Sequence, residues 1–112
     1  MLIKQTKSNQ NVIGSSASGL VLHTKLKVLL NLFGKPTKIG SGDNKVQLEW
    51  QFIGNNDNSI VVTIYDYKEE KPLHRIEEWQ IGSKNISQKE IIIFLKGKGF
   101  SELNIEIYRE CK

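Results

Sequence analysis

The chain has 112 residues, of which 38% are hydrophobic and 25% charged, and it carries a formal net charge of +4. That length supports one two-layer core and no second one, and the composition is that of a folded chain, not a disordered tail. No apolar run approaches the ~20 residues that cross a bilayer, Met1-Leu2-Ile3 runs at once into Lys4, Gln5 and Lys7 and so does not read as a secretory leader, and the single cysteine, Cys111, leaves no internal disulfide to form. The expectation is one domain over residues 1–112, cytoplasmic in a host cell and without a membrane partner.

Taken in order, residues 1–13 show little periodicity, and Leu2-Ile3 could begin a short edge strand. The stretch Ile13-Gly14-Ser15-Ser16-Ala17-Ser18-Gly19 has loop composition. Leu20 to His23 reads as a short strand or as the lead-in to a helix. That helix is predicted over 25–33: Thr24 is a candidate N-cap, Leu26, Leu29, Leu30 and Phe33 recur at helical spacing, and Gly34 with Pro36 ends it. Lys25 and Lys27 oppose the helix dipole at its first turn, at a cost of at most about 0.5 kcal/mol each.

The clearest signal is a hairpin over residues 45–68. Val46, Leu48, Trp50 and Phe52 alternate with Lys45, Gln47, Glu49 and Gln51, which predicts a strand with one buried and one wet face. Gly54 to Asn58 supplies turn residues. The second arm, from Ile60 to Tyr67, is apolar on both sides and is the better candidate for a central strand. Lys68 to Pro72 reads as a charged surface connection, and residues 75–81 as a third strand ending at Gly82. Ser87 and Glu90 form an S-x-x-E capping pattern before a second helix, with Ile91, Ile92 and Leu95 as its stripe and Gly97 to Gly99 as its end. The run from Ile91 to Leu95 could also form a buried strand. Leu103, Ile105 and Ile107 then alternate as a last strand. The fold class is α+β: an antiparallel sheet of four to five strands with two helices packed on one face.

Leu32-Phe33-Gly34-Lys35-Pro36, the Glu49-Trp50 pair, Thr63-Ile64-Tyr65-Asp66-Tyr67-Lys68 and Glu78-Trp79-Gln80-Ile81-Gly82 together resemble a family of small proteins from tailed bacteriophages. In that family a helix ending in F-G-x-P precedes a strand with a Glu-Trp pair, a strand reading T-I-Y-D/N-W/Y-K and a W-x-I-G stretch. The likeness spans about residues 24–82. Gln80 stands where the family more often has histidine, and Ser83 where it often has a second glycine. The resemblance implies a phage origin and an α+β fold, and it brings no established activity.

Candidate sites follow from residue chemistry. Tyr65, Tyr67 and Lys68 bring rings and a cation to the end of the central strand, where a nucleobase and a phosphate could be met; the alternative is that the tyrosines complete the core and Asp66 starts a turn. Trp50 and Trp79 read first as core anchors, with stacking on a ligand as the alternative. The loops Gly14–Gly19 and Gly40–Lys45 offer amides and hydroxyls but match neither phosphate-loop spacing. Tyr65, Tyr67, Lys68, Trp79, Ser41 and Lys45 make up the candidate ligand-binding set. His23 and His74 have no metal-ligand spacing to a second His or Cys, no nucleophile with an identifiable base is marked, and Glu69, Glu70, Glu77, Glu78 and Asp66 read as a solvated face sooner than as a magnesium site. No catalytic residue, metal or cofactor is expected. The basic residues are mostly lysine and scattered, unlike a dedicated nucleic-acid module.

The leading functional expectation is a non-enzymatic phage-type accessory protein that counters host defence by sequestering an anionic small molecule such as a signalling nucleotide. The alternative is an inhibitor that blocks a host or phage protein, or nucleic acid, by occupancy. A small metal-dependent nuclease using the acidic residues comes third. Open sheet edges in so small a protein also predict a homo-oligomer.

Overall fold

The computed structural model describes residues 3–5, 16–39, 48–54, 59–66 and 75–109. In chain order these form β1 (Ile3–Gln5), β2 (Ser16–His23), α1 (Leu26–Phe33), β3 (Lys38–Ile39), β4 (Leu48–Gly54), β5 (Val61–Tyr65), β6 (Glu78–Lys84), α2 (Gln88–Gly97) and β7 (Ile105–Ile107). Five strands run in the order β4-β5-β6-β2-β7, with the short strands β1 and β3 along the outer side of β4. Every pairing is antiparallel. The class is the predicted α+β, with both helices against one face.

The hairpin forms with Gln51 opposite Thr63 and Trp50 opposite Ile64. One sheet face carries Trp50, Phe52, Val62, Ile64, Trp79 and Ile81, all buried in one core with Leu29 and Phe33 of α1 and Ile91 and Leu95 of α2. Phe52 joins the two helices through edge contacts with Phe33 and Phe94, at centroid distances of 5.0 and 5.2 Å. The wet face predicted for β4 is not wet: Gln51 is 1% exposed, and its neighbour Thr63 is buried as well. Hydrogen bonding makes such burial tolerable. The Gln51 side-chain amide donates to Glu49 Oε2 at 2.6 Å, and its backbone N–H to Thr37 Oγ1 at 3.0 Å.

The predicted loop over 13–19 is corrected where it is described. Ser16 to Gly19 belong to β2, and the register against β6 shifts between Ala17 and Leu20. Ser18 and Gly19 are the extra residues of a bulge. Ser18 Oγ replaces ladder bonds there, donating to the Ile81 carbonyl at 2.7 Å and accepting from Leu20 N–H at 3.2 Å. Gly19 takes φ +87° and lies so close to the Arg109 carbonyl that a side chain would collide with it. Serine and glycine signal flexibility in sequence and serve irregular pairing here.

Three boundaries also move. Helix α1 has Lys25 at its N-cap with no side-chain bond, so Thr24 is not the cap; Leu30 is 42% exposed and lies off the buried stripe. The third strand begins at Glu78 and runs through Gly82 to Lys84, while Ile76 is buried ahead of it. Leu103 lies in a 3-10 turn over Glu102–Asn104 that shortens the last strand to β7. For α2 the expectation holds: Ser87 Oγ accepts from Glu90 N–H at 3.2 Å, and residues 91–95 are helical.

Candidate functional site

Of the predicted ligand set, Tyr67, Lys68, Ser41 and Lys45 lie outside the described residues, as do His74, Cys111, Glu69 and Glu70. Tyr65 and Trp79 are described, and the sheet separates them. Tyr65 pairs with Gln80, the residue after Trp79, and successive side chains of a strand point to opposite faces. Tyr65 is therefore on the face away from the helices, part exposed. Trp79 is fully buried in the helical core. Its indole N–H donates to the Thr24 carbonyl at 2.9 Å, and its ring meets Trp50 edge to face at 5.5 Å. Trp79 is a core anchor and not a stacking surface, a correction to the candidate set.

Register sets the company that Tyr65 keeps. Across the non-helical face, Glu49, Tyr65, Gln80, Val21 and Glu106 stand in one row, with His23 and Glu78 paired alongside. His23 Nε2 is 2.6 Å from Glu106 Oε1. By register this face carries Glu49, Glu78 and Glu106 together with Lys38, opposite Glu49, and Lys4 and Lys84, in the row of Ile53 and Val61. Acidic and basic positions therefore alternate across this face. Among the described residues no grouping of His, Cys, Asp and Glu could hold a metal ion. Glu78 and Glu77 are exposed, whereas Asp66 is fully buried and accepts from Leu48 N–H at 2.7 Å. Those acids of the proposed magnesium set do not share one environment.

The helical layer has a different character. Lys25, Lys27, Lys35, Lys89, Lys96 and Lys98 are all exposed there, against Glu90, which belongs to the Ser87 cap, and Glu102, which bonds Lys96 at 2.7 Å. Helix α1 also carries more aliphatic surface than the sheet can cover. In Leu26–Phe33 only Leu29 and Phe33 are buried, while Val28, Leu30 and Leu32 are 37%, 42% and 45% exposed. Val28 and Leu32 are four residues apart and share one flank. On α2, Ile93 is 61% exposed between Lys89 and Lys96 on the same helical side. Exposed aliphatics and exposed lysines thus occur together on both helices.

Two indole bonds hold α1 in that position. Trp50 Nε1–H donates to the Gly34 carbonyl at 3.0 Å, just past the helix, and Trp79 Nε1–H to the Thr24 carbonyl, just before it. Sequence reading places both tryptophans in or near the core but misses the clamp, because the receiving groups are backbone carbonyls distant in the chain. It also misses the His23–Glu106 pair, which depends on β7 lying beside β2.

No helix among the described residues is long and apolar enough to cross a membrane. Comparison of the chain with protein-family models, curated proteins and solved structures finds no match.

Proposed function

We propose that this is a non-catalytic binding protein of phage type that counters host defence by occupying an acidic surface of a partner protein. The observation that carries this reading is the helical layer, where Val28 and Leu32 on one flank of α1, Leu30 on the other and Ile93 on α2 are exposed on helices that also carry exposed lysines. Lysines steer an acidic partner into contact, and desolvation of the aliphatics holds it there. The resemblance of residues 24–82 to small phage proteins supports the setting. A nucleic-acid partner fits less well, since the basic residues described on this layer are lysines with no exposed aromatic ring among them.

A second reading, sequestration of a small molecule, draws on Tyr65, the member of the candidate set described with a part-exposed ring. Its row neighbours Glu49 and Gln80 offer hydrogen-bonding groups to such a molecule.

The test compares wild type with K27E/L32S, both changes lying at exposed positions. Immobilised wild-type protein is expected to retain a bacterial protein that elutes as salt rises, and the variant, with an unchanged melting temperature, to lose at least about tenfold in retention. A saturable rise in melting temperature with a nucleotide, without any salt-sensitive protein complex, overturns this reading in favour of sequestration.

A further inference from the structure

The two edges of the sheet are finished differently. On one side the outer edge of β4 carries both β1 and β3, opposite residues 52–54 and 48–49. On the other side the sheet ends in β7, which among the described residues has β2 on its inner side and no strand on its outer side. Edge strands are usually guarded by charged side chains, proline, shortness or a covering loop. Ile105-Glu106-Ile107 is short, its one charge, Glu106, is engaged by His23 at 2.6 Å, and the chain around it is apolar and exposed: Leu103 is 93% accessible, Ile107 51% and Tyr108 46%.

Hydrogen bonding identifies which backbone groups face outward. Tyr108 N–H donates to the Gly19 carbonyl at 2.9 Å, so Tyr108 and, two residues back, Glu106 turn their backbone groups toward β2. Ile105 and Ile107 turn theirs away. Ile105 N–H is taken by the Glu102 carbonyl that closes the 3-10 turn. Ile107 is then the residue of β7 whose N–H and C=O both point off the edge.

We infer that β7 pairs with β7 of a second copy of this chain, antiparallel, about a two-fold axis at Ile107. In that register each Ile107 N–H donates to the partner's Ile107 carbonyl, so a single residue type satisfies both free groups with itself. The two Ile107 side chains pack together on the helical face. Glu106 comes opposite Tyr108 of the partner subunit, whose hydroxyl can donate to it, and no like charges are opposed across the axis. The axis stands perpendicular to the sheet, so both basic helical layers face the same way. A three-residue strand pair with Leu103 and Tyr108 falls short of the ~800 Å² per partner of a standard interface, and the dimer is accordingly concentration-dependent. This inference is independent of the partner proposed above.

The test is sedimentation velocity on the full chain from about 1 µM to about 1 mM, with amide exchange measured at both ends of that range. Wild type is expected to pass from monomer to dimer. The Ile107 amide should then slow at least about tenfold, while the Tyr108 amide, already bonded to Gly19, stays the same. Ile107→Lys should raise the dimer dissociation constant by about tenfold or more. A chain that stays monomeric throughout, or a dimer in which Ile107 exchange ignores concentration, overturns the inference. If the lysine variant does not fold, the contrast between the Ile107 and Tyr108 amides in wild type decides.

Discussion

Trp50 and Trp79 meet edge to face at 5.5 Å and donate to opposite ends of the same helix, Trp50 to the Gly34 carbonyl and Trp79 to that of Thr24. The exposed aliphatics of α1 are presented by a helix of eight residues, too short to hold its shape alone. Its fixity comes from burial of Leu29 and Phe33 and from these two bonds. Trp79→Phe keeps most of the apolar area and strands the Thr24 carbonyl, so a loss of about 1–3 kcal/mol in urea unfolding is expected. Amide exchange should rise at the start of α1 for Trp79→Phe and at its end for Trp50→Phe.

Asp66 ties off the open end of the central hairpin. It follows β5, is fully buried, and its Oδ1 accepts from Leu48 N–H at the first residue of β4, 2.7 Å away. Asp66→Ala leaves that N–H without its acceptor and is expected to cost about 1–3 kcal/mol by denaturant unfolding. Asp66→Asn keeps an acceptor and should recover at least half of the loss.

Gly19→Ala tests the bulge. The residue would hold φ +87° with its Cβ against the Arg109 carbonyl and 2.6 Å from Gln88 Nε2. Left-handed strain costs about 1–2 kcal/mol, and backbone must move as well. Faster exchange at the Tyr108 and Arg109 amides, both of which donate to Gly19, is the accompanying sign that β7 has loosened.

Glu102 supplies a pH dependence. Its carboxyl lies below the ordinary value of 4.5, first because Lys96 hydrogen-bonds it and second because Lys96 is a cation. A depressed folded-state pKa means stability that is present above 4.5 and lost as pH falls through the lowered value. The difference in urea midpoint between wild type and Glu102→Gln should therefore shrink as pH drops below 4.5. At neutral pH it should also shrink with added salt, because the pair is exposed.

Local patterns in the sequence carried far, and what they missed depends on pairing at a distance. The central hairpin, the Ser87 cap and the stop at Gly34 each depend on neighbours a few residues apart, and all three are as the pattern predicts. The strand identity of Ser16 to Gly19 depends on Ile81, across the sheet, and glycine-serine composition hides it. Gln51 and Thr63 obey the alternation of a wet face yet are buried; periodicity reports which side a residue takes, not whether water reaches that side. For the candidate site the gap is wider. Tyr65 and Trp79 look like neighbours in a ligand cluster because both are aromatic and lie near strand ends, but the β5–β6 register puts a sheet between them. The lysines looked scattered because α1 and α2 are far apart in the chain, and the fold brings them to one layer.

The placement of β2 has a consequence for synthesis. Residues 16–23 are flanked in the sheet by 78–84 on one side and 105–107 on the other, so both neighbours are translated long after β2 itself. At about 5–20 residues per second, this apolar strand waits several seconds with both hydrogen-bonding edges bare. During that interval pairing with a wrong strand competes with folding, and slowing elongation between β2 and β6 should lower the soluble yield.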